Sequence, residues 1–102
     1  MSFRPNFTDV QLNGDKLEVF GESNEDDLDN IVGIQVVISQ EDKAAGGSAH
    51  IAAGFVPEAT ASWSAEIDSA GFVAGPAVAI GVETHSSPVT AITWAQLVEI
   101  QE

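Results

Sequence analysis

The chain of 102 residues contains no cysteine, and it has only three lysines and arginines against 16 aspartates and glutamates. Without cysteine, neither a disulfide framework nor a thiolate metal site can form, so packing must supply the stability. The formal net charge is −13 at pH 7. We therefore expect neither nucleic acid nor an anionic membrane as a partner, because both are bound through clustered Lys and Arg.

Long apolar runs are also missing. The first seven residues, MSFRPNF, lack the roughly 7 to 15 apolar residues of a secretory signal, and no later run approaches the length of a membrane span. We therefore expect no signal peptide or transmembrane segment in this chain, and either an internal assembly component or a module excised from a surface protein. At this length we expect a single domain that covers residues 1–102.

The chain does contain repeated alternation of apolar and polar residues, which is typical of half-buried strands. Seven strands are predicted, at residues 8–12, 16–20, 31–40, 49–55, 60–67, 77–84 and 91–100. Asn13 and Gly14 predict a hairpin turn after the first strand. Gln96 shares the apolar side of the last strand, which suggests a bulge or a shifted register there. The pattern predicts an all-β, seven-stranded antiparallel sandwich of immunoglobulin-like (Greek-key) topology.

Short motifs follow the same order as these strands. They are LEVFGES at residues 17–23, IVGIQVVI at 31–38, WSAE at 63–66, AVAIGVET at 77–84 and W-x-x-x-V-x-I at 94–100. Together they resemble the prokaryotic immunoglobulin-like modules of bacterial surface and adhesion proteins. The resemblance implies a β-sandwich with a noncatalytic role. The chain has no tyrosine, so the tyrosine corner of many immunoglobulin relatives is absent.

Acidic residues crowd the loop before the third predicted strand: Glu25, Asp26, Asp27 and Asp29. Calcium prefers such oxygen ligands, but an EF-hand that began at Asp27 would have Val32 at the position that requires glycine. Two interpretations remain, a looser calcium site and a solvated loop whose repulsion is screened by water. Acids spread along the whole chain favour the solvated loop, and they also suggest a halophilic source.

Other catalytic or binding patterns are weak. His50 and His85 have no metal-ligand spacing and are expected to be exposed. There is neither a G-x-S-x-G elbow nor a phosphate-binding glycine loop, so we expect no enzyme. Trp63 and Trp94 lie on the inward sides of their predicted strands, which favours core packing over sugar stacking.

An uncharged surface is the strongest functional feature of the sequence. In an immunoglobulin-like sandwich, the third, sixth and seventh strands share one sheet. Its outward residues are predicted to be Gln35, Val37, Ser39, Ala77, Ala79, Gly81, Thr93, Ala95 and Leu97. Because none is charged in so acidic a chain, this surface is predicted to contact protein.

The sequence thus predicts a noncatalytic structural or interaction module. Its partner would be a second copy or a larger assembly, such as a virion decorated by this domain. The alternative is a module that binds calcium or a carbohydrate with the acidic loop and the loops beside it. Beyond possible calcium, no cofactor is expected.

Overall fold

The computed structural model describes residues 6–23, 30–42, 48–57, 61–68, 71–86 and 88–102. The strands in these ranges are β1 (Asn6–Asn13), β2 (Lys16–Glu22), β3 (Ile31–Asp42), β4 (Ser48–Val56), β5 (Ser62–Asp68), β6 (Gly75–Ser86) and β7 (Val89–Gln101). The prediction of an all-β fold with seven strands is therefore confirmed. The described ranges hold no helix that is long and apolar enough to cross a membrane.

The seven strands form one sheet in the order β4-β3-β6-β7-β1-β2-β5. Among the described residues five strand pairs are antiparallel, and β1 runs parallel to β7, with Val10 opposite Ile100. The sheet is therefore mixed, and not wholly antiparallel as expected. It curls until its outermost strands approach each other, since a Cβ on Gly54 of β4 would lie 3.0 Å from Ile67 Cγ1 of β5. The result is nearly a barrel.

The turn between β1 and β2 lies where the sequence predicts it. Asn13 is opposite Lys16, so Gly14 and Asp15 form a two-residue loop. Gly14 has a φ of 64°, a left-handed conformation that glycine adopts without steric cost and that hairpin turns of this length require.

The core fills the inside of the curled sheet. Leu17, Ile34 and Ile38 are completely buried there. The Phe7 ring lies between two indoles, with its centroid 5.8 Å from that of Trp63 and 5.2 Å from that of Trp94. Both tryptophans therefore belong to the core or pack against it, as their inward positions predict.

The orientation of β6 differs from the prediction by one residue. Ala77, Ala79 and Gly81 are buried and face the core, not the solvent. The reason is the size of their neighbours: Ala79 is opposite Ile38, and a Cβ on Gly81 would overlap Trp94. Small residues leave the space that these side chains occupy, while the larger valines and isoleucine of β6 point outward.

Gln96 explains a second departure from the sequence analysis. The β6–β7 register is continuous from Gly75 to Ser86, so neither the bulge nor the shifted register that the sequence suggests is present there. Instead, the Gln96 side chain faces inward, and its amide makes the two backbone hydrogen bonds to Phe7 that a neighbouring strand would otherwise make. The Phe7 N–H donates to Gln96 Oε1 at 2.9 Å, and Gln96 Nε2 donates to the Phe7 carbonyl at 2.8 Å. The amide thereby joins β7 to β1 beyond the short parallel ladder.

Candidate interaction surface

The outward surface of β4, β3, β6 and β7 consists of cross-strand rows in register. Three successive rows are Phe55, Gln35, Val82 and Thr93; then Ala53, Val37, Ile80 and Ala95; then Ile51, Ser39, Val78 and Leu97. We call these twelve residues the outer face. None of them is charged and none is buried.

Large apolar side chains protrude from this surface. Leu97 is 82% exposed, Ile51 67% and Phe55 56%. Val89 extends the same side of β7 toward the β6–β7 turn and is 85% exposed. Strands lie about 4.8 Å apart and rows about 6.8 Å apart, so the outer face alone covers roughly 400 Å² in projection. Nine of its twelve residues are apolar, and the largest apolar patch on a monomer, commonly about 300–600 Å², is often functional.

Charge returns only beyond the outer face. The next row along the strands holds Ala49, Glu41, Pro76 and Glu99, and thus two acids at one end. The outward side of β1, β2 and β5 is acidic by contrast, and carries Asp9, Glu18, Glu22, Glu66 and Asp68 with Lys16 among them. The described part of the chain therefore separates an acidic surface from an uncharged one.

Sequence reasoning identified this uncharged surface but not all its members. Six residues lie on the outer face as predicted: Gln35, Val37, Ser39, Thr93, Ala95 and Leu97. The three predicted residues of β6 lie in the core instead.

The sequence analysis did not assign the outward residues of β6 or those of β4 to this surface. Charge does not distinguish the two sides of β6, because both are uncharged as far as Val82, and the larger side chains on one side favour the wrong orientation. The alternation of Ile51 and Phe55 with small residues was a usable signal for β4.

A buried polar pair lies on the inner side of β6. His85 Nε2 and Glu83 Oε1 are 2.7 Å apart, and the two side chains are 5% and 0% exposed. This corrects the expectation that His85 is an exposed residue, and Glu83 is likewise not part of the acidic surface. The second carboxyl oxygen, Glu83 Oε2, is buried without a hydrogen-bond partner in the described structure.

Metal binding receives no support from these two side chains. The described residues contain no group of three His, Asp or Glu side chains able to hold a metal ion. Glu25, Asp26, Asp27 and Asp29 lie outside the described residues, so the calcium site stays a prediction. His50 is half-buried, with its ring centroid 6.4 Å from that of Phe72.

Fold and surface together define an all-β domain that is built on one curled, mixed sheet and has two chemically different outer surfaces. Comparison with protein-family models, with curated proteins and with solved structures finds no match for this chain.

Proposed function

We propose that this protein is a noncatalytic structural or interaction module that contacts another protein through its outer face. One observation carries the proposal: in a chain of charge −13, twelve residues in register on four strands are uncharged, and Leu97, Ile51 and Phe55 among them are more than half exposed. Interface centres are depleted of charge and enriched in apolar and aromatic side chains in the same way.

The finer fold is part of this proposal. The pairings β2–β5, β3–β6 and β6–β7 are those expected for an immunoglobulin-like Greek key, in which the second and fifth strands are neighbours and the third, sixth and seventh share a sheet. In this interpretation β1 pairs with strands of both layers and thereby joins them into one sheet. A sandwich of this kind suits repeated units of a larger assembly, including a virion.

Burial of the outer face supplies the driving force. Apolar surface removed from water contributes about 25 cal/mol per Å², and two sheets that pack face to face lie about 10 Å apart. The backbone beneath is already ordered in the sheet. The entropy that the backbone loses on association is therefore small.

Photo-crosslinking tests the proposal. A photoreactive amino acid replaces Leu97 in the full chain, and a matched control variant carries it at Ser64. Both are expressed in the organism that produces the protein. Ser64 is exposed on β5, on the opposite surface. We expect a protein adduct from position 97 and none from position 64. Equal adducts from both positions, or none from position 97, would contradict the proposal.

Lysine substitutions on the outer face test whether its apolar side chains make the contact, with lysine on the opposite surface as the control. Leu97→Lys and Ile51→Lys should each abolish the adduct formed through a crosslinker at Thr93, while Ser64→Lys should leave it unchanged. Both apolar side chains are mainly in solvent, so lysine fits without disturbing the core, and circular dichroism checks that the fold is kept. Ala79→Lys is not a suitable variant, because Ala79 is buried and a lysine in the core would unfold the protein.

A further inference from the structure

We infer that the protein on the outer face is a second copy of this chain, packed face to face; this inference rests on the proposed function. The outer face is self-complementary in chemistry. An uncharged apolar array buries a copy of itself without needing opposite charge on the partner, and a twofold axis is the commonest arrangement for two identical chains.

The available area suits such a pair. With the row that flanks it at either end, Glu41 and Glu99 on one side and Thr84 and Ala91 on the other, the outer face covers roughly 650 Å² in projection. Two copies would therefore bury about 1,300 Å², above the roughly 1,000 Å² that a specific interface needs. Its most exposed hydrophobic side chains are Leu97, Ile51 and Phe55, each more than half in solvent.

The position of the acids selects the orientation. Glu41 and Glu99 lie at one end only of the outer face. A twofold axis parallel to the strands would place these acids against those of the partner. An axis across the strands places them over the partner's uncharged opposite end instead. In that arrangement the middle row is on the axis, and Ala95 faces Ala95 of the second copy.

The net charge fixes the sign of the salt dependence. Two chains of −13 repel each other although their contact surfaces are neutral, and salt screens that repulsion. Association between copies should therefore strengthen as KCl is raised. A partner with a basic rim, attracted by the acids around the outer face, would instead bind more weakly at high salt.

Sedimentation equilibrium of the full chain at about 0.1 M and about 1 M KCl measures this directly. We expect a mass approaching twice the chain's 10.6 kDa, with at least a severalfold tighter dissociation constant at the higher salt. Leu97→Lys and Ile51→Lys should weaken association at least tenfold, and Ser64→Lys should not. A wild-type monomer at all accessible concentrations in both salts would overturn the inference.

Cysteine placement tests the orientation, because the chain has no cysteine of its own. Ala95→Cys should give a covalent dimer with a short bis-maleimide, while Ser64→Cys should not. A dimer in which Ala95→Cys crosslinks no faster than Leu97→Cys would overturn the axis across the strands.

Photo-crosslinking at Leu97 separates failure of this inference from failure of the proposed function. An adduct of twice the chain mass supports the second copy. An adduct with a different protein overturns the second copy and leaves the proposed function standing. No protein adduct at all overturns both.

Discussion

Trp94 of β7 lies over Gly81, its directly opposed partner on β6, so closely that any Cβ at position 81 would overlap the indole. Trp63 and Gly21 repeat this arrangement on β5 and β2, and Phe7 lies between the two indoles. The glycines therefore create the space in which three aromatic rings join the two halves of the sheet.

The first prediction concerns this cross-strand pair. Gly81→Ala should destabilise the fold by about 1–3 kcal/mol, because the added methyl group forces Trp94 from its position. Equilibrium unfolding in urea measures the loss. In the Trp94→Phe background the same change should cost clearly less, since the smaller ring leaves room, and the double-mutant cycle gives that coupling. An additive cycle would show that contact with Trp94 is not the cause.

The same pair explains where sequence reasoning ends. Alternation fixes the existence and approximate bounds of the seven strands, because each needs only a local pattern of apolar and polar residues. No local pattern determines the orientation of β6, because the space at Gly81 is filled by Trp94 from another strand. The burial of Glu83 and His85 follows from that orientation. The parallel β1–β7 pair joins the two ends of the chain, and no neighbouring residue signals it.

A second prediction concerns Gln96, whose amide holds the backbone of Phe7. Gln96→Leu keeps a similar volume but leaves a part-buried N–H and carbonyl without partners, at a cost of about 2–4 kcal/mol in unfolding free energy. The amide hydrogen of Phe7 should also exchange faster with solvent. Gln101→Leu, at an exposed position on the same strand, is the control and should change stability by a few tenths of a kcal/mol. Unchanged exchange at Phe7 would contradict the bridging role.

The third prediction concerns the Glu83–His85 pair. His85→Leu removes the 2.7 Å contact and leaves a buried carboxyl group without it, so we expect a loss of about 3–5 kcal/mol. The double variant Glu83→Leu with His85→Leu should regain most of that loss, because a buried polar pair replaced by apolar side chains is often neutral. Chemical denaturation of both variants tests this. A double variant less stable than His85→Leu alone would show that the carboxyl group has another stabilising contact.

The last prediction concerns the acidic surface. Glu18 of β2 is directly opposite Glu66 of β5, and both point outward. Like charges in directly opposed positions destabilise a sheet by about 0.2–1 kcal/mol. Glu66→Lys replaces that repulsion by attraction and should therefore stabilise the fold at low salt.

Salt distinguishes this local effect from the net charge. At about 1 M KCl the screening length falls to about 3 Å, so the gain from Glu66→Lys should largely disappear while the wild type itself becomes more stable. Glu102→Lys makes the same change in net charge beyond the end of β7 and should give a smaller gain at low salt. If the two variants gain equally, the overall charge and not the Glu18–Glu66 pair sets the low-salt instability. A wild type that gains nothing from KCl would remove the basis for expecting a halophilic source.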